Sequence, residues 1–332
     1  MCEFITGGGF IAAPLPKSLA NEGAAMRDAL LRDLAALNAF NIMCMHDARL
    51  AFSALNCKTL IVKAGDDFNQ VFKQALNQVD YVWLIAPETN ATLRHLGEIV
   101  YASGAQLLGC GHYATLIGTS KIMSFNALTA ANINTLAVFS GEVIVHNFAE
   151  VLQLKVAKWV AKPENGAGCE GIKIFADLHA LCDWIKQDDQ YLQYFAQPYQ
   201  LGIAASFCML CRDGHAWLLS SNQQHIDCDG DTFKLKSITL NGMKTYANRF
   251  EIIAEKIAKM LPDALGYMGI DVIIDTETNS IFVLDINPRL TTSYVGLAQA
   301  IAYNPAQLIL DCVLKPHFKM PALQQHIVTI HV

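Results

Sequence analysis

Residues 269–289 read Gly-Ile-Asp-Val-Ile-Ile-Asp-Thr-Glu-Thr-Asn-Ser-Ile-Phe-Val-Leu-Asp-Ile-Asn-Pro-Arg. Two apolar runs, Gly269 to Ile274 and Ile281 to Ile286, flank the polar segment Asp275 to Ser280, which predicts a hairpin. Side chains alternate along a strand, so Asp285 and Asn287 share a face, and pairing can set Asp271 opposite them. Each aspartate interrupts a strongly apolar run, where a charge is costly unless it has a partner. Two carboxylates and an amide oxygen are hard donors suited to Mg²⁺ shared with nucleotide phosphates. Solvated acids at a strand end are the bland alternative. Arg289 follows and can aim a bidentate donor at a phosphate or carboxylate beside the metal.

The rest of the chain is consistent with buried layers. Of 332 residues, 53% are hydrophobic and 16% charged, against roughly 25% charged in an average domain. Mean hydropathy is +0.27. A membrane span is not expected, because the longest charge-free stretch, Ile99 to Ser120, is interrupted by Gly104, Gln106, Gly109, Gly111, His112 and Gly118. The N-terminal Met1-Cys2-Glu3 does not read as a signal peptide. A net charge of −6 with no basic stripe argues against a nucleic-acid partner. Ten scattered cysteines in apolar contexts read as buried thiols in a reducing, cytoplasmic setting. Cys208 and Cys211 form a C-x-x-C on a predicted strand, and their odd spacing sends the sulfurs to opposite faces. The ten histidines are dispersed.

Residues 1–110 alternate strand and helix periods. Strands are predicted at Glu3 to Thr6, Ile42 to Met45, Thr59 to Val62, Tyr81 to Ala86 and Gln106 to Leu108. Helices are predicted from a cap at Asn21 onward, over Asp66 to Asn77 and over Thr89 to Ser103. Such alternation means a parallel sheet covered on both faces. From Thr119 the rhythm changes. A helix over Lys121 to Ala131 is followed by strands at Lys158 to Lys162, Ile172 to Phe175, Tyr191 to Gln197, Ile203 to Cys211, Ala216 to Ser221 and Thr232 to Leu240. Helices fall at Leu178 to Lys186 and Tyr246 to Leu261. This reads as an α+β unit with helices on one side.

Gly166-Ala167-Gly168-Cys169-Glu170-Gly171 matches G-x-G-x-x-G, but a strand follows it rather than the helix of a dinucleotide fold. It reads as a strand–loop–strand lid whose glycines, Gly166, Gly168 and Gly171, free backbone N–H groups for phosphate oxygens. A ligand-free hairpin turn is the alternative. Lys162 ends the apolar strand before the loop, where a phosphate would supply its partner. Lys121 stands alone between two charge-free stretches, either solvated or a second phosphate contact.

The order of these features resembles the ATP-grasp superfamily. Thr119-Ser120-Lys121, Val160-Ala161-Lys162-Pro163 with the Gly-rich lid, Gln197-Pro198-Tyr199-Gln200-Leu201-Gly202, Asp271 and Asp285-Ile286-Asn287-Pro288-Arg289 carry the likeness, which covers the whole chain. The resemblance implies an α/β plus α+β architecture: an N-terminal open parallel-sheet, pre-ATP-grasp domain at 1–115, a small lid-bearing subdomain at 116–195 and a metal-bearing C-terminal subdomain at 196–332. It also implies a carboxylate–amine ligase that phosphorylates the acid with ATP before the amine attacks. Lys121 and Lys162 would hold phosphates, with Lys162 also catalytic. Gln197, Tyr199 and Gln200 would form the hinge beside adenine. Asp271, Asp285 and Asn287 would hold Mg²⁺, or Mn²⁺ in its place, and Arg289 would stabilise the transferred phosphoryl group. The sequence departs from the common pattern in three places. Gln197 or Pro198 stands where many members carry Glu, Ala204 where an acid often meets ribose, and Asp285 where Glu is commoner.

A narrower likeness exists. Ser18-Leu19, Glu22-Gly23, Met26, Ala86-Pro87-Glu88 and Pro288 to Tyr294 look like tyramine–glutamate ligases of methanofuran biosynthesis and related enzymes of methylofuran synthesis. Asn222-Gln223-Gln224 stands at the family's Asn-Arg-Gln segment. The substrates so implied are an amino acid, glutamate, and an amine, tyramine or tyrosine, with a homodimer as one expected assembly. The competing expectations are a ligase for another amino acid, a non-catalytic ATP-binding module, and a dehydrogenase using Gly166 to Gly171.

Overall fold

The computed structural model describes residues 1–51, 57–163, 171–229 and 232–332. The N-terminal region is built from β1 (Cys2–Glu3), α1 (Lys17–Leu37), β2 (Met43–Asp47), β3 (Lys58–Val62), α2 (Phe68–Leu76), β4 (Tyr81–Val82), β5 (Leu84–Ile85), α3 (Thr92–Ser103) and β6 (Gln106–Leu107). The pairs β1–β5, β2–β3 and β4–β6 are all parallel. Phe68, Phe72 and Leu76 of α2 and Leu93, Leu96 and Val100 of α3 pack with Val62, Val82 and Leu84 into one core.

Local chemistry moves several boundaries from their expected places. The strand expected at Glu3 to Thr6 stops at Glu3. Its buried carboxylate accepts the backbone N–H groups of Ile5 and Thr6 at 3.1 and 2.7 Å and turns the chain. Gly23 makes room for that carboxylate, since a Cβ there would lie 2.6 Å from Glu3 Oε2. The following helix starts at Lys17 rather than Asn21: Pro16, extended at the N-cap position, accepts the Ala20 N–H through its carbonyl at 3.0 Å. The run Tyr81 to Ala86 is not one strand. It breaks at Trp83, and its halves pair with different neighbours, β6 and β1.

Next come α4 (His112–Thr119) and α5 (Lys121–Ala130), the second capped by the Ser120 hydroxyl on Met123 N–H at 3.3 Å. The charge-free stretch therefore hides a helix that periodicity had not signalled. A four-stranded antiparallel sheet follows, made of β7 (Phe139–Ser140), β8 (Trp159–Pro163), β9 (Lys173–Phe175) and β10 (Tyr194–Pro198) in the order β7-β10-β8-β9. Helices α6 (Gly141–His146), α7 (Phe148–Leu152) and α8 (Leu178–Ile185) cover it, around buried Trp159, Ile144 and Leu181.

The last unit is a six-stranded antiparallel sheet of order β15-β14-β11-β12-β13-β16. Its strands are β11 (Ile203–Arg212), β12 (His215–Asp229), β13 (Thr232–Leu240), β14 (Gly266–Ile274), β15 (Ile281–Asn287) and β16 (Val328–His331). Helix α9 (Ala247–Met260) packs on one face with α4 and α5 residues, through Phe207, Phe250 and Ile257. The opposite face is covered at one end by α10 (Tyr294–Ile301), α11 (Pro305–Leu314) and α1, through Leu210, Leu240, Leu297, Leu30 and Leu34. Helices thus lie on both faces, not one. Cys208 and Cys211 belong to these two different cores, as their odd spacing requires. Strand β12 runs eight residues past the expected Ser221, because the polar run Ser220 to Gln224 lies within the sheet.

Gly202 joins the small sheet to β11 and fits closely against the end of β14: a Cβ there would meet the Ile274 carbonyl oxygen at 2.2 Å. Backbone cannot yield as a side chain can. Gly202→Ala is expected to destabilise the fold by about 1–3 kcal/mol, more than the roughly 0.4–1 kcal/mol gained from a stiffer unfolded chain. Urea unfolding of both proteins checks this, and an unchanged or higher midpoint contradicts it.

Candidate active site

The uncovered part of the second face opens on a cleft of about 820 Å³ between the two antiparallel sheets and the N-terminal region. Lys121, Lys162, Gln197, Tyr199, Gln200, Asp271, Asp285, Asn287 and Arg289 all line it. Four stretches remote in sequence therefore meet in one space. Gly171 follows the loop with φ +74°, while Gly166 and Gly168 lie outside the described residues.

Strand pairing builds the centre. Asp271 is the register partner of Asp285 on one side and of Ser206 on the other. The register shifts directly after the Asp271–Asp285 pair, leaving Leu284 as an extra residue that lines the cleft. Such bulges are a common way to re-aim side chains beside active sites. Asn287 Nδ2 donates to Asp271 Oδ2 at 3.0 Å, and Gln224 Nε2 donates to Asp271 Oδ1 at 2.8 Å. The Lys121 ammonium pairs with Asp285 Oδ1, which also accepts the Ile286 N–H at 3.0 Å.

Burial and the neighbouring Asp285 charge push the Asp271 carboxyl up to about 6, against the pull of Gln224, Asn287 and Lys121. Among the described residues no three His, Cys, Asp or Glu side chains cluster as a metal site. The donor set is instead two carboxylates completed by an amide, with a cation already drawn to Asp285. All-oxygen donors and this local negative charge fit a hard divalent ion.

At the edge of the cleft, Arg289 Nη2 donates to Glu88 Oε2 at 2.8 Å, and Nη1 donates to the Leu290 carbonyl at 3.1 Å. Burial opposes the Arg289 charge, yet Glu88, Glu22 and Asp285 outweigh it and hold the guanidinium firmly protonated. Arg289 Nε and Glu88 Oε1 are buried with no hydrogen-bond partner among the described residues. The Thr292 hydroxyl bonds to Glu22. At the hinge, Gln197 is buried on β10, and the Tyr199 N–H donates to the Lys158 carbonyl at 2.9 Å. Gln200 Nε2 reaches Asp275 Oδ2 at 3.3 Å.

Reasoning from the residues alone missed three participants. Gln224 supports Asp271 from a stretch of β12 beyond the strand end expected at Ser221, and it stood out only within the family-like Asn222-Gln223-Gln224 segment. Glu22 and Glu88 stood out only as parts of a family-like pattern, with no role attached. Nothing local shows that they face Arg289 and Thr292, about 200 or more positions away in the chain.

The raised Asp271 carboxyl also bears on stability. Its folded value lies above its ordinary 3.8, so ionising it costs folding free energy. That cost is absent below about pH 4 and complete above about pH 6, so this group lowers stability as pH rises through the window. In the presence of a chelator, Asp271→Asn is expected to gain stability relative to wild type as pH goes from 4 to 7. Urea titrations across that range check it, and a pH-independent difference contradicts it.

Comparison with known proteins identifies the family. Residues 120–293 match the ATP-grasp domain model, and residues 40–115 match the pre ATP-grasp 3 domain model. The chain is 24% identical over 285 residues to the tyramine–L-glutamate ligase of Methanocaldococcus jannaschii, covering 85% of this chain and 80% of that one. It is 27% identical over 249 residues to the ligase of the same name from Methanocaldococcus fervens, covering 71% and 69%. In fold it is similar to a putative ATP-grasp superfamily protein from Archaeoglobus fulgidus, with a TM-score of 0.69 at 17% identity over 99% of this chain and 98% of that one. Since the ATP-grasp match spans more than half of its residues, and since both relatives are ligases, the chain belongs to the ATP-grasp superfamily as an ATP-dependent ligase.

Proposed function

We propose that this ligase joins the carboxylate of an amino acid to an amine through an acyl phosphate, with L-glutamate and tyramine or tyrosine as the substrates. The convergence of Asp271, Asp285, Asn287, Lys121 and Arg289 in one cleft carries this reading. The named activity of the two methanocaldococcal relatives supports the substrate assignment. The division into units at 1–115, 116–195 and 196–332 belongs to the same proposal.

In the first step a carboxylate oxygen of the acid attacks the γ-phosphorus of ATP, and ADP leaves. In the second, the amine nitrogen attacks the acyl carbon, phosphate leaves, and the nitrogen loses its proton. Asp271, Asp285 and the Asn287 amide oxygen would hold Mg²⁺, which when bound neutralises charge on the β- and γ-phosphates. Lys121 would exchange its Asp285 partner for phosphate, and Lys162 would meet the phosphates from β8. Arg289, held in place by Glu88, would stabilise the phosphoryl group in transfer. Positioned charges of this sort supply most of the catalysis in phosphoryl transfer. Gln197, Tyr199 and Gln200 would meet adenine at the hinge, and Gly166, Gly168 and Gly171 would close over the phosphates.

An ADP-release assay tests the proposal. Sustained release over many turnovers is expected to need ATP, Mg²⁺, L-glutamate and tyramine or tyrosine together. Asp285→Ala should cut turnover by about 100-fold or more while the thermal midpoint stays near that of wild type. Activity retained in Asp285→Ala removes the metal assignment. Sustained ADP release with no acid–amine pair removes the ligation.

A further inference from the structure

Strands β12 and β13 leave the six-stranded sheet as a two-stranded ribbon. Pairing of β12 with β11 ends at Gln223, and from Gln224 onward β13 is its neighbour. Within the ribbon the register slips: His225 pairs with Ser237 and Ile226 with Leu235, so Lys236 is the extra residue. The slip changes which side chains of β13 face the cleft. Before it Ile238 and Leu240 share the site face, and after it Leu235 and Phe233 do. Ile226, opposite Leu235, keeps the parity of Gln224 and lies on the same face. Ile226, Phe233 and Leu235 all line the cleft and are only half-buried. The alternate positions carry charge, with Lys236 Nζ 3.3 Å from Asp227 Oδ2, and His225 and Asp227 border the cleft beside the apolar residues. The ribbon is therefore amphipathic, and its apolar face looks into the space that holds the carboxylates.

The position narrows the occupant. Ile226 follows Gln224, the support of Asp271, by two residues, or roughly 7 Å along the strand. An apolar wall so near the reacting groups adds nothing to the binding of phosphates or of a small acidic amino acid. Adenine is assigned to the hinge segment Gln197 to Gln200 of the same cleft, so a loss of Mg-ADP affinity on truncating the wall would make it part of the nucleotide site and overturn the proposal below. Two carboxylates from the N-terminal region, Glu22 and Glu88, line the same cleft, and Glu88 Oε1 has no partner among the described residues. Acid and apolar surface together complement a primary ammonium carried on an apolar body.

We propose that Ile226, Leu235 and Phe233 form the specificity wall for the amine substrate and select an aromatic amine over a short aliphatic one. The proposal rests on the ligase reading above and names the surface that reads the amine.

Calorimetry on the full chain saturated with Mg-ADP tests it, with phenethylamine, tyramine and ethylamine as probes. The aromatic amines are expected to bind wild type at least tenfold more tightly than ethylamine. Phe233→Ala and, independently, Leu235→Ser should each weaken the aromatic amines by about tenfold. Mg-ADP affinity, ethylamine affinity and thermal midpoint should not move. Equal binding of all three amines, no binding of any, or an aromatic preference that survives both variants overturns the proposal. So does a wild-type dimer that Phe233→Ala converts to monomer with amine binding unchanged, which makes the face an interface between copies. ADP release is read separately. Aromatic preference without acid- and amine-dependent ADP release removes the ligase reading and leaves the wall in place.

Discussion

Two carboxylates set side by side inside a protein repel one another, and the cleft is arranged around that repulsion. Asp271 and Asp285 are register partners across β14 and β15, so the backbone gives neither an escape. Lys121 answers one, and the amides of Gln224 and Asn287 answer the other. These neighbours soften the conflict without removing it, because Asp271 is still pushed up to about 6 by burial and by Asp285. A site left in this condition favours an incoming cation, since a divalent ion relieves in one step what a lysine and two amides relieve in part. The protein forgoes stability at this point in exchange for a site, a common cost of function.

The acids that face Arg289 must come from another layer, and the frame that brings them is well joined. Helix α1 packs Met26, Leu30 and Leu34 into the same core as α10, α11 and the sheet. The buried Tyr294 hydroxyl donates to Asp33 at 2.8 Å, and Asn304 Nδ2 donates to the Asp33 carbonyl at 2.8 Å. Glu22 lies on this helix, and Glu88 follows β5, whose Ile85 joins the same core. A polar cluster of Ser206, Asn222 and Ser293 lies beneath the cleft floor, with Asn222 Nδ2 3.3 Å from Ser293 Oγ. Buried amides of this kind need partners, and meeting that need pins β12 to the turn that carries Arg289 and Thr292.

Much of the architecture could be read locally. The hairpin over 269–289, the helices around Phe72 and Phe250, and the parallel pairing of the first 110 residues follow from periodicity and turn chemistry, which act over a few residues. What escaped had a physical reason each time. α4 is only eight residues long and mixes His112, Thr115, Gly118 and Thr119 with its apolar residues, so it shows no clear stripe. β12 carries polar residues in its middle because it floors a site, and a polar run reads as the end of a strand. Trp83 breaks a continuous apolar run because its two halves serve different neighbours.

Residue types and their spacing define the chemistry on offer. In a chain with so little charge, Lys121, Lys162, Asp271 and Asp285 stood out within apolar runs, since burying a charge requires a partner. The spacing also sets the alternation that puts Asp285 and Asn287 on one face. The partners emerge on packing: Lys121 on Asp285, Gln224 on Asp271, Glu88 on Arg289, and the bulge at Lys236 that turns Phe233 and Leu235 into the cleft. Such pairings join residues tens to hundreds of positions apart, and their energies depend on distances that exist only once the layers have packed.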